Sequence, residues 1–237
     1  MIIRVETTAS TMIDAAELAA RGEPHGTVVV AERQTAGIGR HGHSWHSEAG
    51  AGLYLSIVLR LGIAPADMPA LTMALGLAVQ AAVNDVAGVA ADLRWPNDVM
   101  LNERKLAGIM VQAAAGDALI AGIGVNVNQM RFPEELASIA TSLRMETGAQ
   151  FAKDDILNRV IAEALRYASL LVAGGRQEIF RRFERCSTWV RDREVTVEVD
   201  NRVIRGRTAG LDANGFLQVA TPEGTETIIA GGVRSAA

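Results

Sequence analysis

The feature that most constrains the fold is the alanine-rich run 65–86, which keeps apolar residues at helical spacing over its whole length. A helix this apolar has to be covered on most of its surface, and the flanking sequence offers strands to do it. Leu53–Leu59 sets Leu53, Leu55, Ile57 and Leu59 against Tyr54 and Ser56, the two-residue period of a sheet with one better-buried face. Residues 2–5, 27–31, 91–95, 99–101, 106–113 and 119–126 are further strands, with a turn at Asn102-Glu103. Ser10 or Thr11 suits the cap of a helix that stops near Gly22, and the chain turns helical again after Pro133, most clearly from Asp154 or Asp155 to Leu171. The class is α+β, a mixed sheet with flanking helices.

Past Trp189 the pattern changes to short alternating strands at 194–199, 203–209, 215–219 and 225–229. Turn signals at Asp200-Asn201, Asp212-Ala213-Asn214-Gly215 and Pro222-Glu223-Gly224 separate them. This predicts a small C-terminal barrel and a boundary near residue 190, giving domains 1–189 and 190–237.

Composition narrows the functional classes. Apolar residues at 49% and charged residues at 21% give a globular chain rather than a disordered one. A net charge of -4 gives no general affinity for nucleic acid or anionic membrane, and the arginines between Arg176 and Arg207 are interleaved with acidic residues, so a solvated or carrier-facing surface is expected there rather than DNA contact. The single cysteine, Cys186, rules out an internal disulfide and a cysteine-built zinc site, and is expected to be a buried structural thiol in a reducing, cytoplasmic setting. Residues 1–6 lack the apolar core of a signal peptide. The apolar run 71–83, broken by Thr72 and Gln80, falls short of the ~20 residues that span a bilayer.

Four segments carry chemistry. Thr35-Ala36-Gly37-Ile38-Gly39-Arg40-His41-Gly42-His43-Ser44-Trp45 has glycines that let backbone amides approach a phosphate, with Arg40 ready to pair an oxyanion; a mobile surface loop is the bland alternative. It has no Walker lysine and is not a P-loop. In Arg94-Trp95-Pro96-Asn97-Asp98-Val99 a proline fixes the chain so that Asn97 and Asp98 sit at a rigid turn; they could meet a nucleotide, hold magnesium or accept a proton, or merely form a tight hairpin with Trp95 in the core. Lys105 leads the buried segment Leu106-Ala107-Gly108-Ile109-Met110. The glycines of Gly122-Ile123-Gly124-Val125-Asn126 permit close approach to a ligand or form a bulged strand. His41, His43 and His46 cluster in the loop, but their spacing matches no recognised zinc pattern.

In this order the segments resemble the biotin protein ligases, whose motifs are a GxGRxGRxW loop, KWPND, a KxxGI strand and a GIGIN strand. The resemblance covers residues 8–232, including Ala140-Thr141-Ser142-Leu143. It implies the fold shared by biotin and lipoyl ligases and class II aminoacyl-tRNA synthetases, with a small SH3-like C-terminal domain. It implies ATP-dependent biotinylation of a lysine on an apo biotin carboxyl carrier protein, through biotinyl-5′-AMP and with magnesium. A non-catalytic biotin sensor and a lipoate ligase are the competing readings. The resemblance also implies a form without the DNA-binding segment of some relatives, acting on no DNA or membrane, as a monomer or homodimer.

By resemblance, Ser10, Thr11, Gln34, Gly37, Arg40, Lys105 and Gly108 contact biotin. Gly39, Arg40, Trp45, Asn97, Lys105 and Asn126 contact ATP or the adenylate. Arg40, Lys105 and Asp98 are the catalytic group, and Asp98 is also the magnesium ligand. The chain departs from the family at Ile38, His41 and His43, where arginine is usual, and at Arg94, where lysine is usual. Histidine is largely neutral above about pH 6.5, so adenylate retention is expected to fall as pH rises from about 6 to 8.

Overall fold

The computed structural model describes residues 1–199 and 202–236; the expected turn at Asp200-Asn201 lies outside the described residues. The chain runs β1 (Ile2–Thr8), α1 (Thr11–Ala20), β2 (Val28–Gln34), β3 (Leu53–Leu59), α2 (Met68–Ala87), β4 (Asp92–Arg94), β5 (Asp98–Leu101), β6 (Arg104–Ala113) and β7 (Leu119–Val125). Four helices follow, α3 (Glu134–Ala137), α4 (Leu143–Thr147), α5 (Lys153–Val172) and α6 (Arg176–Cys186). The last strands are β8 (Arg191–Val199), β9 (Arg202–Leu211), β10 (Leu217–Thr221), β11 (Gly224–Ile228) and β12 (Gly232–Ser235).

β1 to β7 form one mixed sheet in the order β1-β2-β3-β7-β6-β5-β4, in which only β1 and β2 are parallel. The predicted α+β class is what the chain adopts. Ser10 caps α1 through Met12 N–H, and α2 ends at Gly88, whose φ of 64° needs no Cβ. Asn102 and Glu103 both have positive φ and join β5 to β6 as a two-residue hairpin.

β3 differs from the one-faced strand its alternation suggests, because all seven positions are buried. Leu53, Leu55, Ile57 and Leu59 join the main core with α2 and α5, while Val58 packs on the other face with Met12, Ala15 and Ala19 of α1. The sheet is therefore covered on both faces by helices. Each large side chain buried in the main core, such as Leu71 or Leu75, contributes about 1.5–3 kcal/mol.

The helix Pro65–Ala87 is longer than the interrupted apolar run implied, and by length and composition alone it would cross a membrane. Its residues are instead buried against the sheet, α5 and α6, as a core helix. Helix α6 lies in the helical region expected after Pro133 but was not delimited within the arginine-rich stretch; it buries Ile179, Phe180 and Phe183 and leaves Arg181 and Arg185 exposed. Cys186, at its end, is exposed rather than a buried structural thiol. Partial burial, opposed by Arg185, pushes the thiol pKa up, so it is a weak nucleophile.

The C-terminal strands form an antiparallel sheet in the order β11-β10-β9-β8-β12, with β12 absent from the sequence prediction. Among the described residues no pairing joins β11 to β12, so closure into the expected small barrel is not confirmed. Trp95 ties it to the larger sheet by donating from Nε1 to the Gly215 carbonyl at 3.0 Å.

Candidate active site

Strand alternation divides the sheet chemically. On β7, Ala121, Ile123 and Val125 face the main core, while Ile120 lies with α1 on the opposite face, the side shared by Gly122 and Gly124. Gly108 on β6 pairs directly with Gly124, so two adjacent strands together leave a bare patch of backbone. A Cβ at Gly108 would stand 2.9 Å from Trp45 Cζ3, and one at Gly124 would stand 2.5 Å from Trp45 Nε1. The glycines are needed because the Trp45 indole lies on them. Gly122 leaves similar room for Met12, whose Sδ would be 2.7 Å from a Cβ there.

Above this patch is a cleft that opens to solvent. Ser10, Thr11, Gln34, Gly39, Arg40, Trp45, Asn97, Lys105 and Gly108 all line it, as do Ile38 and Met12. Nine of the predicted site residues, drawn from segments up to about a hundred residues apart, therefore meet in one place. Gly37, Asp98 and Asn126 are not in the lining.

One end of the cleft is polar. Thr11 donates to Gln34 Oε1 from its backbone N–H at 2.9 Å and from Oγ1 at 3.2 Å, and Thr11 Oγ1 shares a 2.8 Å hydrogen bond with Ser56 Oγ. Gln34 Nε2 donates to Ser47 Oγ at 3.0 Å. Ser56 was not singled out from the sequence, although a serine inside an apolar strand is the signal that could have found it. Buried Gly37 supports this end from behind, since a Cβ there would press on the Trp45 carbonyl and Gln34 Nε2.

The other end is cationic. Arg40 Nη1 donates to Asn97 Oδ1 at 2.7 Å, and Asn97 Nδ2 donates to the Ile109 carbonyl at 3.1 Å, so the loop arginine is anchored to the sheet. Burial lowers the Arg40 pKa, with Asp98 opposing the shift, yet a guanidinium stays protonated at neutral pH. Lys105 Nζ lies 2.5 Å from Asp98 Oδ1 and 5.5 Å from the centre of the Trp45 ring. Its backbone is held by Ile139 and Thr141, and Asn126 Nδ2 donates to its carbonyl at 3.4 Å. Asn126 is thus spent on the backbone and on Gln129 rather than turned to the cleft.

Asp98 lies between two cations, although its buried Oδ1 has an ion-pair neighbour and no hydrogen bond. Arg94 donates to its Oδ2 from Nε at 3.2 Å and from Nη2 at 2.6 Å, while Lys105 holds Oδ1. Burial would raise its pKa, but Lys105 and Arg94 outweigh that and hold it below the ordinary carboxylate value. With a cation beside each oxygen the carboxylate charge is already offset, and its depressed pKa makes it a weak base. Among the described residues no group of three or more His, Cys, Asp or Glu side chains is placed to hold a metal ion. The His43 side chain is exposed and outside the cleft lining, and His46 packs edge-on against Phe132.

Known proteins share this architecture. Residues 3–128 match the biotin/lipoate A/B protein ligase family, and residues 192–233 match the biotin protein ligase C-terminal domain. The bifunctional ligase/repressor BirA of Bacillus subtilis (strain 168) is 33% identical over 234 residues, which cover 96% of this chain and 71% of that protein. The biotin–[acetyl-CoA-carboxylase] ligase of Paracoccus denitrificans is 31% identical over 236 residues, covering 93% of this chain and 95% of the relative. The solved structure of biotin protein ligase from Aquifex aeolicus in complex with biotin and ATP superposes with a TM-score of 0.90 at 30% identity, covering 99% of each chain. The chain belongs to the biotin/lipoate A/B protein ligase family.

Proposed function

We propose that the chain is a biotin protein ligase, which makes biotinyl-5′-AMP from biotin and ATP and transfers the biotinyl group to a lysine of an apo biotin carboxyl carrier protein. The observation that carries this reading is that the polar Thr11–Gln34 end and the Arg40–Lys105 end share one cleft, in a family that includes ligases with these substrates.

In the first half-reaction a biotin carboxylate oxygen bonds to the α-phosphorus of ATP and pyrophosphate leaves. Both reactants are anions, and Arg40 and Lys105 offset the repulsion and stabilise charge growing on the phosphoryl oxygens. Thr11 and Gln34 suit the ureido group, which has both donors and an acceptor. Trp45 brings an aromatic face and an Nε1–H that is buried without a partner, available to the adenylate. In the second half-reaction the carrier's lysine nitrogen bonds to the acyl carbon, AMP leaves with the C–O bond electrons, and the amine proton passes to solvent.

We assign Asp98 to orienting Lys105 rather than to abstracting that proton. We place magnesium with the phosphates of ATP as part of the substrate, since such ions are commonly held by phosphates and only one or two carboxylates, and among the described residues no group of three or more His, Cys, Asp or Glu side chains is placed to hold a metal ion. Residues 1–189 are proposed as the catalytic unit and residues 190–237 as its C-terminal partner. The single cysteine suits a cytoplasmic setting.

The test is to incubate the protein with magnesium, ATP and an apo biotin carrier domain, with either biotin or lipoate, and to weigh the carrier. The expected result is the mass of one biotinyl group in the biotin arm alone. A gain only with lipoate, or none, overturns the reading.

A further inference from the structure

One side chain of the C-terminal sheet reaches the turn that leads into Lys105. Arg193, on β8, pairs with the Glu103 carboxylate through Nη2 and donates to Glu103 Oε1 from Nη1 at 3.2 Å. Glu103 is the second residue of the two-residue hairpin, held at φ 64°, and Lys105 follows two positions later. Arg193 Nη2 also donates to Ser235 Oγ on β12 at 2.9 Å, so the same fork binds the edge of its own sheet to that hairpin.

A second line of contact runs from the same guanidinium. Its central carbon lies 3.6 Å from the centre of the Trp189 ring, a stacked cation–π distance, and the Arg94 guanidinium lies 5.3 Å from that centre. Trp189 is 2% exposed, which fixes the ring between its neighbours. Arg94 carries the contact on to Asp98, and Asp98 to Lys105 Nζ. Arg193 therefore bears on Lys105 twice, once through its backbone turn and once through the charges that aim its ammonium.

We propose that Arg193 is a positioning residue for Lys105, so that the C-terminal sheet helps set the geometry of adenylate formation. The proposal rests on the assignment of Lys105 to the reaction. A displaced ammonium loses most where charge develops, so the effect falls on kcat rather than on ground-state binding. The planar fork is required, because lysine keeps the charge but neither the paired contacts to Glu103 nor the stack on Trp189.

The test measures biotin-dependent ATP–pyrophosphate exchange, single-turnover adenylate formation and melting temperature for Arg193→Gln, Arg193→Lys, Lys105→Ala and Arg193→Gln/Lys105→Ala. Arg207→Gln, which breaks an exposed pair with Glu194 on the same sheet, is the control. The expected result is a loss of about tenfold in kcat for both Arg193 variants, with KM for biotin and ATP within about twofold of the parent. Arg207→Gln is expected to match the parent, and Arg193→Gln to add nothing to Lys105→Ala, because both act on one group. Unchanged kcat in the Arg193 variants overturns the proposal, as does an equal further loss in the Lys105→Ala background. If Arg193→Gln does not fold, Arg193→Lys is judged by the same kcat criterion. A fully active Lys105→Ala chain overturns the reading of Lys105 itself, whatever the Arg193 variants do.

Discussion

Gly108 and Gly124 face each other across β6 and β7, and the Trp45 indole lies on the bare backbone the pair leaves. Neither glycine has a positive φ, so each is there for the space above it rather than for its own conformation. This gives a clean prediction for Gly124→Ala. The new methyl cannot coexist with Trp45 where it lies, yet Trp45 belongs to a loop that can move without breaking the sheet. Adenylate formation is expected to drop by about tenfold or more, while the melting temperature shifts by only about 4 °C or less. Tryptophan fluorescence should report a more solvent-exposed indole; an unchanged spectrum with full activity would contradict the placement.

Asp98→Asn keeps the shape and removes the charge that holds Arg94 and Lys105. The cost in stability is on the order of 2 kcal/mol, a buried-pair figure discounted because Arg94 and Lys105 are 21% and 30% exposed. Because the folded pKa of Asp98 is depressed, its contribution is fully present above the unfolded value of about 3.9 and is lost as pH falls through the lower folded value. Denaturant titrations should therefore show the parent losing this increment only below about pH 4, and the variant lacking it throughout. An inflection near pH 6 or 7 in kcat that disappears in Asp98→Asn would restore it as the base.

Ser56→Ala tests the polar end. Removing Ser56 Oγ frees Thr11 Oγ1 from its 2.8 Å partner without touching the cleft lining. KM for biotin is expected to rise about threefold to tenfold, the worth of one hydrogen bond, while KM for ATP stays the same. A rise in the ATP value instead would place Thr11 at the wrong end.

Arg40→Gln breaks the 2.7 Å bond to Asn97 and removes a cation from the cleft. Biotinyl adenylate is expected to escape at least about tenfold faster, measured by trapping released adenylate in the absence of carrier.

His43→Ala is expected to leave adenylate release unchanged at both pH 6 and pH 8. The loop is held through the His43 backbone, whose carbonyl accepts from Gly39 N–H at 2.8 Å, while the side chain is exposed. The pH dependence expected from sequence assumed that the His41 and His43 rings face the ligand; the His41 side chain lies outside what the structure describes. A profile flattened by His43→Ala would show that the His43 ring does face the ligand.

Much of the site was legible because its residues are chemically conspicuous for local reasons. Glycines at 37, 39, 108, 122 and 124, a lone lysine entering a buried strand, and an arginine in a glycine loop stand out from apolar alternation without any knowledge of the fold. Ser56 stayed hidden because a serine in a strand looks the same whether it meets solvent or a threonine from a helix; only α1 lying across that face gives it a role. Helix α6 was obscured by its arginines, which mask the apolar stripe of Ile179, Phe180 and Phe183.

The sequence by itself determined the α+β class, the core helix, the alternation that gives the sheet a glycine-lined face, and which segments carry chemistry. These are set by short-range periodicity and by residue type. Tertiary structure alone decided that Asp98 is committed to two cations, that Asn126 turns to the backbone of Lys105, and that Arg193 reaches Glu103 from a strand ninety residues later. Charge pairing across such distances along the chain depends on which elements the packed core brings together, and no local pattern encodes it.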